Sequence, residues 1–371
     1  MQGKNKTSEN VKTKKNEEIG RKKHTMTNYD KYKLKSMIKI ILISGPVGLV
    51  VSIFMNNFEL STRLGMIGFF MGCGISLITA GTEFFIFEKY LSSRSFLYTT
   101  AARLIFYIIS ITTVYTTIVY LANITLIRSN KNMPIEEMIK IFYDKYYYYT
   151  VIISMIIILL MSFMIYFSTI VGKNLMTIFI SGKYHTPVEE ELIFMFVDMS
   201  SSTAIAEKLG NKQFHRLLND FISHVSEPII LQKGTIYKYV GDEIIITWNT
   251  TEKNAVQNCI NLNFEMLAAI NTKQEYFKKK YGMVPEFKSA AHCGLAITGE
   301  MGLIKKEIAH LGDVVNTTAR IESLCREVGK AFLISGTLYD RITNRAGHSI
   351  VKIGNMELKG KNERMDIYSV E

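Results

Sequence analysis

The chain has 371 residues, 48% of them apolar and 21% charged, with a formal net charge of +11. The apolar residues gather in the first half, which excludes an ordinary soluble protein and points to membrane spans. Residues 1–36 alone carry eleven Lys and Arg against four Asp and Glu, so most of the basicity belongs to a tail; no recognition motif accompanies it, and nucleic acid is not an expected partner.

The tail, residues 1–36, is rich in Lys, Asn, Glu and Thr and has little to bury, so disorder is expected there. It is too long and polar for a secretory signal, and no small-residue cleavage site follows. Four apolar stretches come next, at about 40–55, 64–87, 104–127 and 150–172. The first holds Pro46, and the last two are free of charge for more than 20 residues, enough to cross about 30 Å of hydrocarbon. An even number of spans predicts both termini on one side. The basic tail, Lys89, Arg94, Arg103 and Lys173 make that side cytoplasmic, against Arg128, Lys131, Lys140 and Lys145 opposite. The outer loops, 56–63 and 128–149, leave no room for an external ligand-binding domain. Glu83 lies about a turn inside the second span and Arg103 opens the third, so Glu83 is expected to reach the headgroups or to pair with Arg103. Cys73, Cys259, Cys293 and Cys325 show no Cys-x-x-Cys pairing and read as free thiols.

Residues 173–190 connect this membrane domain to the rest. Leu175, Ile178 and Phe179 share a helical face before Gly182 and Pro187 break the pattern, which fits a signalling helix or a plain spacer equally. Then Ile193-Phe194-Met195-Phe196-Val197-Asp198-Met199 runs into Ser200, Ser201, Ser202 and Thr203: a buried strand followed by a helix start with N-cap residues. An aspartate there can be a simple cap, or it can hold a divalent cation beside a phosphate. A second hairpin, residues 235–248, turns at Gly241-Asp242 and offers Asp242 as a partner for Asp198. Two converging carboxylates suit a two-metal site. The expected order is a strand at 192–199, helices at 202–209 and 212–231, the hairpin, and a helix at 255–280. Strands near 288–298 and 307–311, a helix at 314–327 and a strand–helix–strand run to 368 complete it. That is an α+β unit, an antiparallel sheet with helices on one face.

A third motif, Leu311-Gly312-Asp313-Val314-Val315-Asn316-Thr317-Thr318-Ala319-Arg320, completes a set. Together the three resemble the class III nucleotide cyclases, the adenylate and guanylate cyclases, over about residues 190–371. The Gly182-Lys183-Tyr184-His185-Thr186-Pro187 segment resembles the linker of the family's four-span bacterial adenylate cyclases. The resemblance implies a ferredoxin-like catalytic domain over 191–371, behind a tail (1–36), a four-helix membrane domain (37–172) and a linker (173–190). It implies conversion of ATP to cyclic AMP and pyrophosphate, with two Mg²⁺ or Mn²⁺ ions held by Asp198, Asp242 and the Met199 carbonyl. Backbone N–H groups of Ser201, Ser202 and Thr203 would cradle phosphate, and Lys359 would bind the triphosphate. Asn316 would orient the ribose and Arg320 would stabilise charge on the α-phosphate, the two sharing a helix face four residues apart. Lys238 stands where adenylate cyclases have a base-reading lysine. Lysine donates to adenine N1, an acceptor, whereas guanine has a donor there, so Lys238 argues for ATP. In this family the site forms between two catalytic domains. One copy of each element therefore implies a homodimer, with the aspartates from one chain and Lys238, Asn316, Arg320 and Lys359 from the other.

The chain departs from the family at Ala309, where Asp or Thr usually contacts the base; His310 is the neighbouring substitute, and mixed ATP and GTP use is the alternative. A diguanylate cyclase is disfavoured by Val240 and Ile244 around Gly241-Asp242-Glu243 and by the Asn316/Arg320 motif. A catalytically silent membrane receptor is disfavoured because no metal aspartate and no arginine is lost. Whether a lipid, a membrane partner or a small molecule acts on the spans stays open.

Overall fold

The computed structural model describes residues 28–55, 62–87, 96–129, 181–343, 347–358 and 364–371, with short groups between 136 and 178. It divides into two compact units, Met1–Ile170 and Val171–Glu371.

The first unit holds α1 (Asn28–Met55), α2 (Thr62–Thr82) continued by one π-helical turn (Glu83–Phe87), and α3 (Phe96–Ser129). Three segments are long and apolar enough to cross a membrane: Lys33–Ile53, Gly65–Phe87 and Leu97–Ile118. The fourth expected stretch, 150–172, lies mostly outside the described residues. Part of the expected disordered tail is helical instead, since α1 starts at Asn28 and carries its polar first turns into the apolar run.

Two of these helices meet through small residues. Ser44, Gly48 and Ser52 on α1 face Gly68, Gly72 and Ser76 on α2, spaced by four so that they form one stripe on each helix. The Ser44 hydroxyl donates to Ser76 Oγ at 2.6 Å. A methyl group at Gly48 would run into the Gly68 carbonyl oxygen, and one at Gly72 into that of Ser44. Across α2 and α3, Glu83 takes a two-pronged ion pair from Arg103 (Nη2–Oε1 2.6 Å, Nε–Oε2 3.2 Å) and a 3.0 Å bond from the Tyr107 hydroxyl. Of the two expected fates of Glu83, pairing is the one observed. Lys33 on α1 donates to the Phe84 carbonyl in the π turn at 3.1 Å.

The second unit is built on an eight-stranded sheet. Its strands are β1 (Val188–Met199), β2 (Thr235–Val240), β3 (Glu243–Asn249), β4 (Phe287–Met301), β5 (Glu307–Leu311), β6 (Phe332–Ser335), β7 (Ile350–Glu357) and β8 (Arg364–Val370). The order is β2-β3-β1-β4-β6-β8-β7, with β5 paired to β4. Its first four strands, connected β-α-β-β-α-β, form the ferredoxin-like core. The helices are α4 (Ser202–Leu209), α5 (Asn211–Leu231), α6 (Ala255–Thr272), α7 (Gln274–Tyr281), α8 (Asp313–Val328) and α9 (Gly336–Tyr339).

Three expectations need correcting. The sheet is mixed, because β4 and β6 run parallel. Helices cover both faces: Ile193, Met195 and Val197 pack with α5 and α6, while Leu192, Phe194 and Phe196 pack with Val314 of α8. That two-sided burial explains why β1 is continuously apolar rather than alternating. The expected single helix over 255–280 is two, broken at Lys273.

β1 also starts earlier than its apolar run, at Val188, and takes in Glu190 and Glu191, whose charges find partners. Glu190 accepts from Lys183 Nζ at 2.7 Å and from the Tyr184 hydroxyl at 2.6 Å, and Arg341 grips Glu191. Residues 183–187 of the preceding linker are therefore a folded part of this unit. Tyr184 is buried, the Glu300 N–H donates to its carbonyl at 3.0 Å, and His185 Nδ1 lies 2.9 Å from Glu300 Oε1.

Candidate functional site

The central pair of carboxylates is assembled by strand register. β1 and β3 pair antiparallel from Leu192↔Asn249 to Val197↔Ile244. One further step sets Asp198 opposite Glu243, next to the β2–β3 turn that carries Asp242. Gly241 makes that turn possible, with φ 66° in the left-handed region where other residues are strained. On the other side, Asp198 pairs with Lys288 of β4.

The charges there crowd one another. The Asp198 carboxyl is pushed up to about 6, first by burial, then by the charges of Asp242 and Glu322, with Lys288 opposing. Glu243 is pushed up to about 7 by burial and by Glu322, Asp198 and Asp242. Lys288 Nζ sits 3.9 Å from Asp198 Oδ2 and 3.4 Å from Glu322 Oε1, too little positive charge for four carboxylates. Asp242 Oδ2 is buried and, among the described residues, makes no hydrogen bond. Buried charged oxygens without a partner are costly, so this cluster fits a divalent cation. Met199 ends β1 with its side chain in the core, leaving its backbone to the site. Among the described residues no group of three or more His, Cys, Asp or Glu side chains converges on one point in the manner of a closed metal cage.

Ser201 takes the N-cap position of α4 in a left-handed conformation (φ 57°, ψ 30°), and its hydroxyl makes no capping bond. The expected side-chain cap is thus replaced by a strained backbone, of order 1–2 kcal/mol for a non-glycine residue. Ser202 and Thr203 form the first turn, whose N–H groups face outward along the axis after Asp198.

Asn316 and Arg320 lie on the outer side of α8, away from Val314, Thr317, Thr318 and Ile321, which are buried. Lys238 on β2 bonds to Glu307 Oε2 of β5 at 3.0 Å. Among the described residues no hydrogen bond or ion pair joins Lys238, Asn316 or Arg320 to Asp198 or Asp242, and the charges acting on Asp198 are those of Asp242, Glu322 and Lys288. Lys359 lies outside the described residues. His310 does not replace the missing polar group at Ala309. Its ring turns to the other face of β5, against Tyr237 and Phe194, with Nδ1 2.8 Å from Thr298 Oγ1. Burial pushes its pKa down to about 4.

Lys288, Glu322, Glu243 and Glu307 were not singled out by sequence. Lys288 and Glu307 become visible only through strand register, and Glu322 only through the packing of α8.

A β-α-β-β-α-β core with a crowded acidic pair at the β1 end and a motif helix after β5 defines a nucleotidyl-cyclase catalytic unit. Residues 185–371 match the family described as the adenylate and guanylate cyclase catalytic domain. The chain belongs to that family. It is 32% identical over 208 residues to adenylate cyclase 2 of Rhizobium meliloti (strain 1021), covering 56% of this chain and 57% of that protein. It is 26% identical over 189 residues to adenylate cyclase 1 of the same organism, covering 49% and 27%. The chain thus spans little more than half of one relative's length and about a quarter of the other's. Among solved structures it is similar to the adenylyl cyclase CyaB from P. aeruginosa (22% identity, TM-score 0.43, 50% of this chain and 95% of that one). It is also similar to the guanylate cyclase domain of RhGC from Catenaria anguillulae in complex with GTP (23% identity, TM-score 0.44, 50% and 98%).

Proposed function

We propose that this chain is an adenylate cyclase that converts ATP to 3′,5′-cyclic AMP and pyrophosphate at a membrane. The observation that carries the reading is the acidic pair, Asp198 with the buried Asp242 Oδ2, on a chain that also holds Lys238, Asn316 and Arg320 at family spacing. Asp198, Asp242 and the Met199 carbonyl would hold two divalent cations, Mg²⁺ or Mn²⁺, which would supply acidification of the ribose 3′-hydroxyl and neutralisation of triphosphate charge. The 3′-hydroxyl gives its proton to water, and its oxygen bonds to the α-phosphorus as the bond to the bridging oxygen breaks and pyrophosphate leaves. Asn316 holds the ribose for that in-line approach, and Arg320 meets the charge that grows on the α-phosphate. N–H groups of Ser201 to Thr203 take phosphate oxygens, Lys359 takes the triphosphate, and Lys238 donates to adenine N1.

That no bond joins the two residue groups among the described residues of one chain supports a homodimer with sites shared between copies. So does the exposed apolar stripe of Leu295, Ile297 and Met301 on β4 with Leu311 of β5, which a second copy would cover. The proposed plan is a basic tail ahead of α1, four spans ending at 172, a linker (173–190) and a catalytic domain (191–371), with both termini and the catalytic domain cytoplasmic.

The test is cyclic nucleotide formation by purified full-length protein from ATP and from GTP, under Mg²⁺ and Mn²⁺. Cyclic AMP that disappears in Asp198→Ala is the expected result. No cyclic nucleotide from either substrate would overturn the reading and leave a silent receptor.

A further inference from the structure

We infer that Glu307 is the second base-reading group of this site, accepting from the exocyclic amine of adenine while Lys238 donates to N1; the inference rests on the proposed ATP cyclase reading. It resolves a gap the sequence leaves open. Ala309 has no polar atom to offer the base, and the ring of His310 is committed to the opposite face of the strand.

Alternation along β5 sets the geometry. Ile308 is buried and His310 packs beneath the strand, so Glu307, Ala309 and Leu311 share the outer face. Glu307 is thus the nearest polar side chain on the face that Ala309 leaves bare, and it is one methylene longer than aspartate. Its carboxylate already reaches the base-reading lysine, Oε2 lying 3.0 Å from Lys238 Nζ, while Oε1 takes Lys305 Nζ at 2.6 Å. The two lysines, Lys305 first, hold the Glu307 carboxyl down to about 2. It is therefore charged, and it accepts only. A carboxylate offers about four acceptor positions, so two remain for a ligand.

As a stabilising contact the pair explains little. Both side chains are about 40% exposed, and exposed ion pairs contribute little to folding. As a reading device it is specific. Adenine presents a donor at the 6-amino group beside an acceptor at N1; guanine presents an acceptor at O6 beside a donor at N1. An ammonium facing N1 with a carboxylate beside it at position 6 satisfies adenine twice and opposes guanine twice.

The experiment compares wild type, Glu307→Ala, Glu307→Gln and the double variant Glu307→Ala/Ala309→Asp, all full-length. The ratio of kcat/KM for ATP to that for GTP is measured, together with competition of ATP and GTP against a fluorescent ATP analogue at equilibrium. Loss of one hydrogen bond to a charged group predicts a roughly 10- to 100-fold fall in the ATP:GTP ratio for Glu307→Ala, mostly through KM, with recovery in the double variant. An unchanged ratio in both measurements overturns the inference. So does a rise in ATP turnover at constant ratio, which would mean that Glu307 merely obstructs Lys238. Wild type that binds ATP in preference to GTP but forms no cyclic nucleotide overturns the cyclase reading alone, and the competition data still decide on Glu307.

Discussion

Asp242→Asn tests whether the acidic pair is held at a cost to the fold. Asp198 is raised from 3.8 to about 6, which at about 1.4 kcal/mol per pH unit corresponds to roughly 3 kcal/mol for a fully buried group. Burial, the first cause, survives the substitution. The Asp198 side chain is 25% exposed, so solvent screening removes part of the remainder and leaves about 1 kcal/mol as the gain from neutralising Asp242. Trp248, the chain's one tryptophan, is buried in β3 with its indole N–H on the Gln232 carbonyl at 2.9 Å. Its fluorescence therefore reports this unit within the full-length protein. In EDTA at pH 7.5 the urea midpoint should rise by about 0.4 M for a slope near 2–3 kcal/mol/M. Adding Mn²⁺ should stabilise wild type by about 2.7 kcal/mol at one hundred times its Kd, a midpoint rise of about 1 M, and leave the variant unmoved. A variant no more stable than wild type in EDTA, or one equally stabilised by Mn²⁺, would refute the reasoning.

Arg320→Ala should lower turnover by about 10²- to 10³-fold while the Trp248 unfolding midpoint stays put; near-normal turnover would remove Arg320 from the site. Gly48→Leu should separate α1 from α2, seen as loss of crosslinking between cysteines placed at positions 44 and 76, because its side chain would occupy the place of the Gly68 carbonyl. His310 is neutral when folded and titrates near 4, against 6.5 when unfolded, so acid favours the unfolded chain as pH falls through that window. His310→Gln should therefore gain about 2 kcal/mol on wild type between pH 7.5 and pH 5 in urea titrations; a pH-independent difference would show that burial does not depress His310.

The acidic pair was legible because each aspartate sits in a local pattern, a strand end and a Gly-Asp turn, and local patterns survive in sequence. What surrounds them was not. Lys288 is ninety residues from Asp198 and meets it only because β1 and β4 pair in one particular register. Glu307 looked like one more charge in a lysine-rich hairpin until β5 alternation and the bulged β2 brought it to Lys238. The break at Lys273 escaped because the sequence there keeps a helical rhythm on both sides. The second helical layer was missed although β1 is continuously apolar, which is the pattern of a strand covered on both faces. Near the membrane the same limits applied: Glu83 and Arg103 were named, but the third partner, Tyr107, depends on helix phase.

The linker joins the catalytic sheet at the start of β1, and Asp198 lies ten residues on, about 33 Å away at strand spacing. Lys183, Tyr184 and His185 are tied to Glu190 and Glu300, and Lys306 of the β4–β5 hairpin shares Glu300. Any displacement of residues 183–185 is therefore shared between the β4–β5 hairpin that bears Glu307 and β1, the strand that ends beside Asp198.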